Sequence, residues 1–102
     1  MDGYERLASA IVAQAEEDYI KNHKKIKEYG KKIERLKANL SSMPRNKNEI
    51  EAKIKEYELK IKKLNYEVDE IIDFFYSSWF RTLSSKDPNY VLKKLEEVVD
   101  DS

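Results

Sequence analysis

The sequence contains no cysteine, a single histidine, and only two glycines and two prolines among 102 residues. Without cysteine, disulfides and thiolate metal sites are excluded, and one histidine rules out a two-histidine metal site within the chain. No apolar run approaches the roughly 18 residues of a membrane-spanning helix. The first residues also lack the basic start and apolar stretch of a signal peptide. We therefore expect a cytoplasmic protein with no membrane segment.

Charged residues are abundant but balanced, with 20 bases and 20 acids giving a net charge of zero. Their distribution along the chain is uneven. Residues 1–20 carry five acids and one base, residues 21–64 carry fifteen bases and six acids, and residues 65–80 carry four acids and no base. So few helix breakers among so many charges are typical of helices whose outer faces are solvated.

Apolar residues recur at gaps of three and four in two long segments, which predicts two amphipathic helices, at about residues 4–40 and 47–83. The seam of the second helix is coiled-coil-like and consists of Ile50, Ile54, Tyr57, Ile61, Leu64, Val68, Ile71 and Phe75. Residues 41–46 interrupt the period, and Asn46 with Glu49 matches a capping box. Gly30, inside the first helix, suggests a close helix contact or a slight bend. A connection this short predicts an antiparallel hairpin.

A short helix at about residues 88–100 follows Asp87 and Pro88, which suit the N-cap and the first helical position. A helix of this length is not stable alone. We expect it to pack on the open end of the hairpin, where Phe74, Trp79 and Phe80 broaden the apolar stripe. The sequence thus predicts one all-α domain over residues 1–102.

The acidic, aromatic-rich open end is the first candidate site. Exposed Trp and Tyr side chains are frequent anchors of protein interfaces, and carboxylates complement a basic partner surface. The predicted partner-binding residues are Glu16, Glu17, Asp18, Asp69, Glu70, Asp73, Tyr76 and Trp79. Apolar surface left over at this end predicts a homo-oligomer, such as a homodimer.

The basic tip of the hairpin, formed by the lysine-rich middle of the chain, is an alternative site. Neutralising phosphates with several lysines gives salt-sensitive nucleic-acid binding, for which the candidates are Lys24, Lys25, Lys31 and Lys32. Interleaved acids, such as Glu28 four residues before Lys32, favour instead an ordinary solvated helix face.

A third pattern, Glu67-x-x-Glu70-x-x-Asp73, resembles half of the magnesium site of all-α nucleotide pyrophosphohydrolases. The other half is missing, because Ile20 stands where a further carboxylate is needed. We therefore predict no catalytic residue, no metal, no cofactor and no enzymatic activity.

Both ends of the chain carry a family resemblance. The segments that carry it are Tyr4-Glu5-Arg6-Leu7-Ala8, Ala10-Ile11-Val12, Gln14-Ala15, Asp18-Tyr19, Phe74-Phe75, Ser78-Trp79-Phe80, Leu83, Asp87, Tyr90 and Lys94-Leu95. Over both ends, roughly 40 residues, the chain resembles small proteins encoded by temperate phages and integrative elements of Firmicutes. Proteins of such elements commonly act on phage DNA metabolism or disarm host defences.

The resemblance itself implies no reaction, cofactor or established partner. We expect an accessory protein without enzymatic activity that acts by binding a protein of the host cell. Inhibition of a host defence nuclease, as by an anti-CRISPR protein, is the leading hypothesis, with the acidic end occupying a basic nucleic-acid channel. The alternative is an accessory factor that binds nucleic acid through the basic hairpin tip.

Overall fold

The computed structural model describes residues 3–42 and 44–101 and is all-α, with no strand in these ranges. Four helices follow one another: α1 (Gly3–Ser42), α2 (Lys47–Phe75), α3 (Ser78–Leu83) and α4 (Pro88–Asp100), with a 3-10 turn at Pro44–Asn46 between the first two. The molecule is a rod measuring 62 × 22 × 20 Å. The predicted fold class, a long helical hairpin with a short helix at its open end, is confirmed.

The register of α1 against α2 follows from contacts across the hairpin. The Asn22 amide donates a hydrogen bond to Glu67 Oε2 at 3.3 Å, and the rings of Tyr29 and Tyr57 stack with centroids 5.4 Å apart. The paired residue numbers add up to 89 and 86, as expected for an antiparallel hairpin that turns near residue 45. Residues 11–25 of α1 therefore face the C-terminal part of α2.

The connection between α1 and α2 differs from the expected one. Helix α1 extends to Ser42, and α2 begins at Lys47 directly after the 3-10 turn. The predicted capping box does not form, because the Asn46 side chain makes no capping hydrogen bond. With φ −106° and ψ 26°, Asn46 lacks the extended backbone from which a cap side chain reaches forward. Met43, within the predicted turn, lies outside the described residues.

The structure divides the helix predicted at about residues 47–83 into α2 and α3, with a break at Tyr76 and Ser77. The Ser77 hydroxyl donates to the Phe74 carbonyl at 2.6 Å and accepts from the Phe80 amide at 3.2 Å. Serine side chains compete in this way with helical backbone hydrogen bonds. The break reorients the chain so that Phe80 is buried and Trp79 is exposed.

Helix α4 covers one side of the open end. Asp87 Oδ1 accepts a hydrogen bond from the Asn89 amide at 3.1 Å, and Pro88 occupies the first turn. Burial of its apolar face stabilises a helix too short to persist alone. The resulting core contains Val12, Tyr19, Val68, Phe75, Phe80, Val91, Leu92, Leu95 and Val99.

Gly30 has no close neighbour, so the predicted close helix contact is wrong: a Cβ added there would meet nothing within 4 Å.

We expect Gly30→Ala to raise the free energy of unfolding by about 1 kcal/mol, because glycine loses more backbone entropy in a helix interior. Urea denaturation followed by circular dichroism measures this. Gly3→Ala is the control; it lies at the start of α1, also without neighbours, and should change stability less. A loss of stability in Gly30→Ala would contradict the open environment.

Candidate protein-binding site

An open groove of about 690 Å³ runs along the hairpin, lined by α1, α2 and Trp79 of α3. No residue of α4 lines it. Helix α4 instead meets the side of α1 that carries His23 and Lys27, where the Lys27 ammonium donates to the Val99 carbonyl. The hairpin thus has one side covered by α4 and another side left open.

The groove has an apolar floor. The floor consists of four half-buried residues, Ile11, Ala15, Ile71 and Phe74. All of them except Ile11 also pack against the core. Trp79 stands at the outer end with 58% of its surface exposed. The Phe74 ring meets the Trp79 indole edge to face, with centroids 5.9 Å apart. An aromatic side chain held in this way presents apolar surface to a partner at little cost in entropy.

Charged side chains form the walls, and their sign changes along the groove. Asp18, Glu67 and Glu70 line the part next to the apolar floor, and Lys21 and Lys25 line the part nearer the hairpin turn. Two of the acids are held in place by neighbours. The Gln14 amide donates to Asp18 Oδ1 at 2.9 Å, and the Asn22 amide donates to Glu67 Oε2.

The structure brings together three of the eight predicted partner-binding residues, Asp18, Glu70 and Trp79. The others do not line the groove: Glu16, Glu17, Asp69, Asp73 and Tyr76. Successive helical residues point in different directions, so neighbours such as Asp18 and Glu17 belong to different faces. The Tyr76 hydroxyl instead donates to Asn89 Oδ1, which links the end of α2 to α4.

The four predicted nucleic-acid-binding lysines are also separated. Lys25 lines the groove, whereas Lys24 and Lys31 are exposed elsewhere on α1. The Lys32 ammonium lies 5.5 Å from the Tyr29 ring centroid and 3.8 Å from a Glu28 carboxylate oxygen. The ion pair joins Glu28 and Lys32, four residues apart, as predicted for a solvated helix face.

The carboxylates of the magnesium-like pattern lie on different faces as well. Glu67 and Glu70 line the groove, and Asp73 does not. Within residues 3–42 and 44–101, no group of three or more histidine, aspartate or glutamate side chains is placed to hold a metal ion.

A smaller pocket of about 270 Å³ lies between α1 and α4, lined by Tyr19, His23, Glu96, Val99 and Asp100. The rings of Tyr19 and His23 are 4.4 Å apart. Burial lowers the pKa of His23; Glu96 and Asp100 act in the opposite direction, and Lys27 adds to the lowering. Neutral imidazole is therefore favoured in the folded protein.

The lowered pKa of His23 predicts a pH dependence of stability. Below the ordinary pKa of 6.5, the unfolded chain binds more protons at this site than the folded chain, so the free energy of unfolding falls as the pH falls. We expect the urea midpoint to be lower at about pH 5.5 than at about pH 7.5, and the difference to shrink in His23→Gln. The same difference in both proteins would contradict a role for His23.

Sequence reasoning missed Asn22, which joins the two walls of the groove and is 8% exposed. A signal was present, because the polar Asn22 and His23 stand three and four residues after Tyr19, where the seam of α1 calls for an apolar residue. A polar side chain at a seam position needs a buried partner, and Glu67 provides it. Gln14 carried no comparable signal.

Comparison with protein-family models, curated protein sequences and solved structures finds no match for this chain. No helix in the described part of the chain is long and apolar enough to span a membrane. The fold and the site define an all-α hairpin with an open groove, apolar at its outer end and charged further in.

Proposed function

We propose that this chain is an accessory protein of phage type, without enzymatic activity, that binds a host protein in the groove within the host cytoplasm. The target class is a host defence nuclease, CRISPR nucleases included. Binding is stoichiometric and inhibits by occlusion. The resemblance of the chain ends to phage and integrative-element proteins supports the target class, and the groove supports the mode of action.

The observation that carries the proposal is the exposed Trp79 beside an apolar floor with carboxylates on its walls. Aromatic residues bordering a concave apolar surface supply most of the binding energy in many interfaces. The Trp79 ring meets the Phe74 ring edge to face, and 58% of the Trp79 surface is exposed. Its indole is therefore available to a partner.

The charge of the walls suits a basic target. Nucleases bind their substrates through lysine and arginine side chains that meet phosphates. Asp18 and Glu70 offer carboxylates to such side chains beside an apolar anchor. A partner bound in this way cannot present the same bases to nucleic acid, which is how occlusion inhibits.

Nucleic-acid binding is the second candidate function, favoured by the excess of bases over residues 21–64. Fifteen bases stand there against six acids. In the described part of this segment, ion pairs engage Lys32, Lys53 and Lys60. The lysines at 24, 25 and 31 would supply the phosphate contacts together with Lys32.

Affinity capture from host lysate distinguishes the two functions, using the intact tagged chain with and without nuclease treatment, at low and high salt. A defined protein recovered in stoichiometric amount after nuclease treatment supports the binder. Recovery of nucleic acid alone, lost at high salt and after changing the four lysines at 24, 25, 31 and 32 to glutamate, supports the second function instead.

Self-association through apolar surface left over at the open end stays a prediction, and α2 offers a further exposed apolar face for it. Leu59 and Tyr66 are 67% and 66% exposed, lie seven residues apart on α2, and do not line the groove. They share one face of the helix. We propose this face for a homo-oligomer, such as a homodimer, when the groove is occupied by a target.

A further inference from the structure

The groove lies where a further helix of a bundle would pack. On one side of α1 and α2, the 13-residue helix α4 buries Val91, Leu92, Leu95 and Val99. The groove on the other side is formed by the same two helices. The pair of α1 and α2 thus has α4 packed on one side and room for one more helix on the other. A short amphipathic helix is thus the element that this hairpin already binds once, within its own chain.

The length of the groove fits such a helix. From Ile11 to Lys25 the lining of α1 covers fourteen steps of the helix, about 21 Å at the helical rise. Helix α4, with 13 residues, is about 20 Å long. The occupant therefore needs about fourteen residues, or four turns.

The floor of the groove favours a helix over an extended or irregular segment. Ile11, Ala15, Ile71 and Phe74 offer no polar atom to a partner's backbone. An extended segment laid on them would bury unpaired amides and carbonyls, which is costly. A helix satisfies these groups internally and presents only side chains.

The walls specify the order of side chains on that helix. Ile11, Asp18 and Lys25 follow one another at intervals of seven residues along α1, beginning at the Trp79 end. Seven residues are about two helical turns, or roughly 10 Å. We propose that the groove binds an amphipathic helix of the target, and this inference rests on the proposed function. The bound helix carries an apolar turn, a basic residue about seven positions away from it, and an acidic residue about seven positions further in the same direction.

The groove faces of two copies of this chain do not offer that order to each other. Two α1 helices laid antiparallel in the groove place Asp18 opposite Asp18. If one α1 helix is shifted by seven residues, Asp18 of one copy lies opposite Lys25 of the other, but Lys32 then lies opposite Ile11. Either arrangement buries a charge against a like charge or against an apolar side chain, which costs free energy.

Site-specific photocrosslinking tests the proposal on the intact tagged chain. A benzophenone amino acid replaces Gln14, an exposed residue of the groove lining, and in the matched control it replaces Glu17, exposed on the same helix but outside the groove. After irradiation in host lysate and capture, mass spectrometry identifies the crosslinked segment. We expect adducts at position 14 alone, with a segment that has apolar residues at gaps of three and four and the basic and acidic residues at the stated spacing.

The mapped segment is then synthesised as a peptide of about fourteen residues and titrated against the intact chain, with the fluorescence of Trp79, the only tryptophan, as the signal. We expect a proline at its centre to weaken binding at least tenfold, because proline breaks a helix. Glu70→Lys should weaken binding at least tenfold as well. Changing the peptide's basic residue to glutamate should restore the affinity for that variant.

Several results would overturn the proposal. A crosslinked segment without helical spacing, a crosslink to a second copy of this chain, or tolerance of the central proline each excludes a bound target helix. If a target is captured but no adduct forms at position 14, the target helix in the groove is excluded, and the proposed binding of a host protein is still supported. Absence of any captured protein defeats the proposed function together with this inference.

Discussion

Replacing Phe80 by alanine is expected to lower the free energy of unfolding by about 3–5 kcal/mol, the cost of removing a buried aromatic ring and leaving a cavity. Phe80 is 0% exposed, and its ring meets those of Phe75 and Phe74 edge to face at 5.2 and 5.8 Å. A small domain has only about 5–15 kcal/mol of stability in total. Thermal and urea denaturation followed by circular dichroism measure the loss.

Phe80→Leu is the matched variant for this prediction. Leucine keeps most of the buried apolar volume, so it should recover at least half of the lost stability. A Phe80→Ala protein as stable as the wild type would show that the short helix α3 does not hold Phe80 in the core in solution.

Replacing the adjacent Trp79 by alanine should change the stability little and weaken target binding strongly. Its side chain is 58% exposed, so we expect a loss of stability below about 1 kcal/mol. Binding of the captured target should fall by about 2–4 kcal/mol, or roughly 30- to 1,000-fold, as for a tryptophan that anchors an interface. Isothermal titration calorimetry with the purified target measures the affinity, and circular dichroism measures the stability.

Tyr90→Ala provides the control for Trp79→Ala, since Tyr90 is 59% exposed and lies on α4, away from the groove. It should leave the affinity for the target unchanged. Equal losses of affinity in the two variants would mean that the target covers the open end generally. An unchanged affinity in Trp79→Ala would remove the anchor from the proposed site.

The hairpin was predictable because its seam dominates the sequence. Two long segments with apolar gaps of three and four admit few arrangements other than antiparallel helices, and the short connection fixes their register near residue 45. The start of α4 was predictable for a local reason, since Asp87 and Pro88 both have strong positional preferences. Such features depend on residues close together in the chain.

The break at Tyr76 and Ser77 was not predicted, because the apolar pattern continues through it without a glycine or proline. The Ser77 side chain ends one helix and caps the next. This turn decides that Phe80 is buried and Trp79 is exposed. The spacing of apolar residues in the sequence does not reveal the turn, so it could not predict which of the two would be buried.

The site was predictable only in part. Asp18, Glu70 and Trp79 were predicted as a set with five other residues that the structure places elsewhere. Their assembly depends on the side of the hairpin to which α4 packs, because that choice decides which carboxylates border an open groove. No local feature of the sequence indicates which side of the hairpin α4 covers.

The most direct test of the account reverses the charge of the groove walls. The double variant Asp18→Lys and Glu70→Lys should abolish capture of the target from nuclease-treated lysate, whereas Glu17→Lys with Asp73→Lys, the same change in charge outside the groove, should leave capture intact. Circular dichroism verifies that both proteins are folded. Equal capture by all three proteins would contradict the groove as the binding site, and equal loss in both variants would assign binding to the acidic end as a whole.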